Sequence, residues 1–306
     1  MKFLIAGGTG FIGSHLLAHL SRDRHDIVLL TRSSSRSTVL NSSSVRYVHW
    51  NPYTSGEWMT EADGADIVIN LIGKNVFENR WNEKVKKEIL DSRVIPTRLI
   101  VRAIGAAAQK PSLLISASAV GFYGDRQDES ITETSTPGTD FLADVVKQWE
   151  GAAYEAERFG VRVATPRIGL VLEKSGGMIG KMLLPFLLFA GGPIGTGKQY
   201  LPWVHMEDVV RGILFPVVNS AMRGVYNLVS PSPITMNEFA QRFGAVLRRP
   251  SWLPVPSFAL TLLYGEGGAV ILSGQRAIPS RLMEAGYKFS YSDLNSALHN
   301  ILHPER

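Results

Sequence analysis

The chain has 306 residues, of which 45% are hydrophobic and 19% charged. That is enough apolar content for an average α/β core with a smaller appendage, and no stretch has the composition of a disordered segment. The formal net charge of +5 is scattered rather than clustered with aromatics, which excludes a nucleic-acid-binding stripe, and the absence of cysteine excludes disulfides, thiolate catalysis and cysteine-bound metals.

Residues 2–6 are a short apolar run ending in Gly7-Gly8 and read as a buried strand. Residues 11–20 then carry apolar side chains at helical spacing. Further strands are predicted over 27–30, 45–50, 66–71, 113–116 and 161–172, with helices over 82–108, containing Pro96, and 140–159. The serine-rich stretch 33–44, with Arg32, Arg36 and Arg46 in and around it, is a polar connector. This alternation predicts an α/β fold: a Rossmann doubly wound parallel sheet covered on both faces, with a smaller C-terminal substrate-side lobe. Beyond residue 172 glycines cluster at 176–197. Thr235-x-x-Glu238 marks a helix start, and 252–272 is apolar. The expected organisation is a nucleotide-binding domain over 1–172, its sheet open to completion within 200–230. Substrate-side segments follow over 173–249, and a small C-terminal domain over 250–306. No signal peptide is visible, and the longest apolar run, 182–190, is broken by Pro185. The expectation is a cytoplasmic, soluble protein with no membrane or nucleic-acid partner.

Gly7-Gly8-Thr9-Gly10-Phe11-Ile12-Gly13 stands between the first strand and the first helix. There the chain must turn tightly and its amides must approach a pyrophosphate. The helix must also pack closely on the strand. The second strand ends in Thr31-Arg32-Ser33, without the acid that would bind an unmodified ribose. An arginine beside hydroxyls suits a 2′-phosphate, so NADP is expected over NAD. Asn70-Leu71-Ile72-Gly73 ends the fourth strand, and its glycine allows close approach of the cofactor to backbone.

The loop, with its Gly-x-x-Gly-x-x-Gly spacing, resembles the fingerprint of extended short-chain dehydrogenases and nucleotide-sugar epimerases. Other matches include Arg80-Trp81, Ser92-Arg93, Ser116-Ala117-Ser118, Tyr123-Gly124, 191–197 and Trp203-Val204-His205-x-x-Asp208. Together they resemble the epimerase-family branch of the atypical short-chain dehydrogenases, nearly end to end. The tail from about Pro250 resembles that branch's small C-terminal domain of unknown function. The resemblance implies an NADP-dependent oxidoreductase or sugar-nucleotide epimerase. It further implies that Thr31 and Arg32 meet the adenosine phosphate, that Leu71, Ile72 and Gly73 line the cofactor, and that Glu88 and Arg93 lie beside it.

Members of this superfamily use a hydroxyl after the fifth strand and a Tyr-x-x-x-Lys helix. The resemblance assigns Ser118 the hydroxyl position, with Ser116 as second candidate. The tyrosine and lysine positions fall on Leu142 and Val146, with Lys147 one residue out of register and Tyr154 too late in the helix. Tyr123 is the best substitute acid. His205 and Asp208 are expected to organise structure, and no metal site is expected. Two functions follow: an enzyme acting on a small-molecule substrate, compatible with a homodimer, or an NADP-binding sensor or scaffold that has lost catalysis.

Overall fold

Seven strands form the continuous path of an eight-stranded parallel sheet, the short eighth being Ser118–Ala119, in a computed structural model that describes residues 1–23, 25–32 and 45–304. They are β1 (Lys2–Ala6), β2 (Asp26–Thr31), β3 (Val45–His49), β4 (Ile67–Asn70), β5 (Leu113–Ser116), β6 (Arg162–Ile168) and β7 (Gly224–Leu228). Their order is β7-β6-β5-β4-β1-β2-β3. The connector carrying Ser33 and Arg36 lies outside the described residues. In register, Ala6 stands opposite both Leu30 and Asn70, and Asn70 opposite Ser116. Four strands therefore finish at one edge, and the winding reverses between β1 and β4, where a doubly wound sheet opens a crevice.

The helices are α1 (Phe11–Leu20), α2 (Glu83–Ala106), α3 (Phe141–Tyr154), α4 (Gly177–Leu187), α5 (Met206–Val218) and α6 (Met236–Leu247). Alternate residues along each buried strand point to opposite faces. Phe3 and Ile5 thus meet Leu16 and Leu17 of α1 and Ile213 of α5. Leu4 and Val68 meet Leu99, Ala103 and Ile104 of α2 on the other side.

The run 161–172 does not form one strand. At Gly169 a β-carbon would lie 2.0 Å from the carbonyl oxygen of Pro202, so only glycine lets the two segments approach. The chain leaves the sheet there, and Leu170–Glu173 pairs with Trp203–His205 instead. This pairing begins the second lobe. Its core holds Phe186 of α4, Trp203, Phe239 and Phe243 of α6, and Leu298 of the last helix, Leu294–Leu302. Thr235 closes the expected capping box with Glu238. The helix read over 140–159 is α-helical only to Tyr154 and continues as a tighter turn over Glu155–Phe159. Among the described residues no helix is long and apolar enough to cross a membrane.

Candidate functional site

The site builds up from the turn between β1 and α1. Gly7 has φ +84°, and a β-carbon there would stand 2.8 Å from the backbone of Leu71. At Gly8 it would meet Leu29 at 2.4 Å, and at Gly13 the Gly7 carbonyl at 2.2 Å. These three are glycines because the protein itself fills the space. Gly10 differs: its backbone is extended, and the sole neighbour of an added β-carbon is the Gly7 oxygen, at 3.2 Å. Its bareness leaves an exposed cradle that a side chain would fill. No side chain caps the amides of α1, and no acid lies in its first turn. The positive end of the helix therefore faces that cradle unopposed. A dinucleotide pyrophosphate fits this set of donors. Thr9 is exposed beside Gly10, while Ile12 packs against the sheet core. Phe11 reaches across to the second lobe, its ring 3.0 Å from where a β-carbon of Gly176 would stand.

Thr31 is buried at the end of β2, its carbonyl accepting from Trp50 at 3.0 Å, and Arg32 follows exposed. At the end of β4, Asn70 is enclosed and donates to Thr97 Oγ1 at 2.8 Å and Ser116 Oγ at 3.3 Å. Thr97 also accepts from Trp149 Nε1 at 3.1 Å and donates to the Arg93 carbonyl at 2.6 Å. This spine locks α2 and α3 onto the strand ends. Leu71 and Ile72 are half-buried beyond it and Gly73 is exposed.

Gly73 has a protein partner. The Arg93 guanidinium lies 3.0 Å from the position of its absent β-carbon. Arg93 donates to the carbonyls of Lys74 (2.9 Å) and Ile89 (3.0 Å) and stacks 5.3 Å from the Trp149 ring. Burial pushes its pKa down to about 10, so it stays charged at neutral pH. Glu88 pairs with the Lys74 ammonium at 2.5 Å. The structure thus brings Glu88 and Arg93 to the same strand end, joined through Lys74 rather than to each other. Sequence reasoning passed over Lys74, although a lysine directly after the strand-ending glycine was there to be read.

After β5 the hydroxyls turn inward. Ser118 donates to Glu150 Oε1 at 2.6 Å. Arg167 on β6 clasps both oxygens of Glu150 and donates to the Tyr123 hydroxyl at 3.0 Å. Tyr123 donates in turn to Asn227 Oδ1 at 2.7 Å. The Asn227 amide donates to Glu133 Oε1 at 2.9 Å. Every side chain in this network is buried, Tyr123 completely, and burial raises the tyrosine pKa. Tyr123, the expected substitute acid, is enclosed in this packing and its hydroxyl donates to Asn227. Ser118 likewise spends its single proton on Glu150. Leu142 lies under Gly121, and Val146 is buried. Tyr154 bonds Thr165 on β6 at 2.9 Å. The network was missed as a unit, though an arginine inside the apolar strand 161–168 is the signature of a buried ion pair.

His205 caps α5, its Nδ1 accepting from Glu207 at 3.1 Å, and Asp208 accepts the amides of Ser290 (2.7 Å) and Tyr291 (2.9 Å). Both organise the lobe, as expected. Among the described residues no three His, Asp or Glu side chains gather to hold a metal.

The model of the NAD dependent epimerase/dehydratase family matches residues 3–228, and that of a domain of unknown function matches 255–301. The chain is 40% identical to the epimerase family protein SDR39U1 homolog of Arabidopsis thaliana, described as chloroplastic, over 99% of this chain and 87% of the relative. It is 39% identical to the epimerase family protein YfhF of Bacillus subtilis, over 99% and 98% of the two chains. A crystal structure of human epimerase family protein SDR39U1 with NADPH superposes with a TM-score of 0.89 at 34% identity, covering both chains fully. The chain belongs to the NAD dependent epimerase/dehydratase family.

Proposed function

We propose that this chain binds NADP(H) in the crevice between β1 and β4 and acts in the cytoplasm as an oxidoreductase or epimerase on a small polar substrate. The observation that carries the reading is Gly10, the glycine of this turn whose added β-carbon would meet least of the protein, a single carbonyl oxygen at 3.2 Å. The amides of 7–13 would take the pyrophosphate, and Thr31 and Arg32 the 2′-phosphate. Leu71 and Ile72 would line the cofactor, with Gly73, Glu88 and Arg93 shaping the wall beside it. The human relative with NADPH supports this choice of nucleotide. When bound, NADP(H) supplies a hydride acceptor or donor. The contact of Phe11 with Gly176 carries the second lobe up to the nucleotide turn, where it can screen a substrate from water.

A second reading, an NADP-binding sensor without turnover, is favoured by one observation. The proton-bearing hydroxyls of Ser118 and Tyr123 point into the Glu150–Arg167 network, and the crevice helix offers Leu142 and Val146 in place of a proton donor. In that reading Ser118 and Tyr123 are positioning residues.

Calorimetric titration tests the shared part. NADPH should bind more tightly than NADH, and Arg32→Ala should weaken NADPH by about 1–3 kcal/mol while leaving NADH nearly unchanged. Equal affinities in the wild type would end the proposal. A metabolite screen for NADPH oxidation or NADP reduction separates the two readings.

A further inference from the structure

With the pyrophosphate at Gly10 and the 2′-phosphate at Arg32, the nicotinamide end of the dinucleotide runs the other way, over β4 and β5. A ring of contacts encircles that half of the crevice. Phe11, at the start of α1, lies within 3.0 Å of where a β-carbon of Gly176 would stand and within 3.8 Å of one at Gly177, where α4 begins. Lys181 stands one turn along α4, about 6 Å beyond Gly177. Its Nζ donates to the Tyr264 hydroxyl at 3.1 Å. Tyr264 ends the helix Ser257–Tyr264, and its carbonyl accepts from the Trp81 amide at 3.1 Å. The Trp81 ring packs edge-on against Phe141 at the head of α3, with 5.3 Å between centroids. The next residue, Leu142, lies 3.6 Å from where a β-carbon of Gly121 would stand, just beyond Ser118. The aligned ends of β5, β4 and β1 complete the circuit.

The pair Arg80-Trp81, to which no cofactor role falls, holds the C-terminal segment in this ring. Gly265 has φ +62°, and a β-carbon there would stand 3.3 Å from Arg80 Cγ and 3.4 Å from Arg80 Nε. At Gly267 one would stand 2.8 Å from Trp81 Nε1. The Arg80 side chain therefore lies against the residue next to Tyr264. Arg80 and Lys181 are both exposed, and among the described residues neither pairs with a carboxylate. The nearby acids are turned to other cations: Glu266 pairs with Lys86, and Glu78 lies within electrostatic reach of Lys74. The Tyr264 hydroxyl accepts from Lys181, which leaves its own proton for a ligand. Phe77, edge-on to Tyr264 at 6.1 Å, adds an apolar flank. An ammonium, a guanidinium and a phenol proton without a carboxylate among them suit an oxyanion. We infer that Lys181, Arg80 and Tyr264 form a subsite for an anionic group on the substrate, a carboxylate or a phosphate ester, so that the C-terminal segment selects what reaches the nicotinamide. This rests on the reading of the crevice as the NADP(H) site.

The test is calorimetric titration of the full chain, first with NADP+ and then, once saturated, with phenyl phosphate, benzoate and neutral benzyl alcohol. At least one of the two anions should bind, and the alcohol should not; the tighter anion tells phosphate from carboxylate. Lys181→Met and Arg80→Met, both at exposed positions, should each weaken that anion about tenfold. Tyr264→Phe, which keeps the ring, should weaken it severalfold. All three should keep the NADP+ affinity and Tm of the wild type. A chain that takes up no NADP+ overturns the nucleotide reading, and this subsite with it. A loaded chain that binds neither anion, that binds the alcohol as tightly, or that binds an anion indifferently to Lys181→Met and Arg80→Met overturns the subsite alone.

Discussion

Arg167 grips Glu150 with two nitrogens, Nε on Oε1 and Nη2 on Oε2, each at 2.8 Å, and both side chains are almost wholly withdrawn from water. Such a pair is weak evidence of net stabilisation, but breaking it strands a charge. Arg167→Met should destabilise the fold by about 3–5 kcal/mol in urea unfolding. Adding Glu150→Leu should recover part of that loss, because it removes the stranded carboxylate. A single Arg167→Met variant as stable as wild type would contradict the geometry.

Two loop glycines should separate binding from folding. Gly10→Ala places a methyl 3.2 Å from one carbonyl oxygen, whereas Gly13→Ala drives one to 2.2 Å from backbone. Gly10→Ala should keep its Tm close to wild type and weaken NADPH about tenfold or more, by filling the cradle. Gly13→Ala should lower Tm markedly before any ligand is added. Differential scanning calorimetry with and without NADPH reads both; a Gly10→Ala protein with unaltered NADPH affinity would move the phosphates elsewhere.

Tyr123→Phe removes a hydroxyl that serves both Asn227 and Arg167. The expected result is a loss of about 1–3 kcal/mol of stability from the two buried partners left incomplete. Whatever turnover the protein has should keep its pH profile. A profile that shifts with Tyr123→Phe while stability holds would restore this tyrosine as a proton donor.

His205 should make the fold sensitive to mild acid. Burial lowers its pKa, outweighing the nearby carboxylates of Asp208, Glu207 and Glu173, which act in the opposite direction. The unfolded chain therefore takes up a proton as pH falls below the ordinary histidine value, where the folded chain resists it. Its contribution is in place at neutral pH and is lost on acidification through that range. Wild-type Tm should fall between about pH 7 and 5.5, and His205→Asn, which can still cap α5, should show a smaller fall. Equal pH dependence in the two proteins would assign the effect to other groups.

Strand and helix order was legible because the first half follows simple periods: apolar runs bounded by glycine, then amphipathic stretches. The break at Gly169 was hidden, since nothing local distinguishes a glycine inside a strand from one pressed against Pro202, some thirty residues on. The nucleotide loop was legible because its spacing is local. The direction of the Ser118 and Tyr123 hydroxyls was not, because it is set by Arg167 and Asn227, on strands that follow much later. Arg93 could be placed at the β4 end, but its contact with Gly73 depends on how α2 crosses that strand.

Gly10 has a consequence for descent. Gly7, Gly8 and Gly13 answer to Leu71, Leu29 and the loop's own backbone, so a lineage that gave up its nucleotide would still be held to them by folding. Position 10 answers only to the Gly7 carbonyl oxygen, at 3.2 Å, and drift would reach it first. Whether a relative retains glycine at that one position therefore reports on use of the ligand, while the other three report on nothing but the shape of the turn.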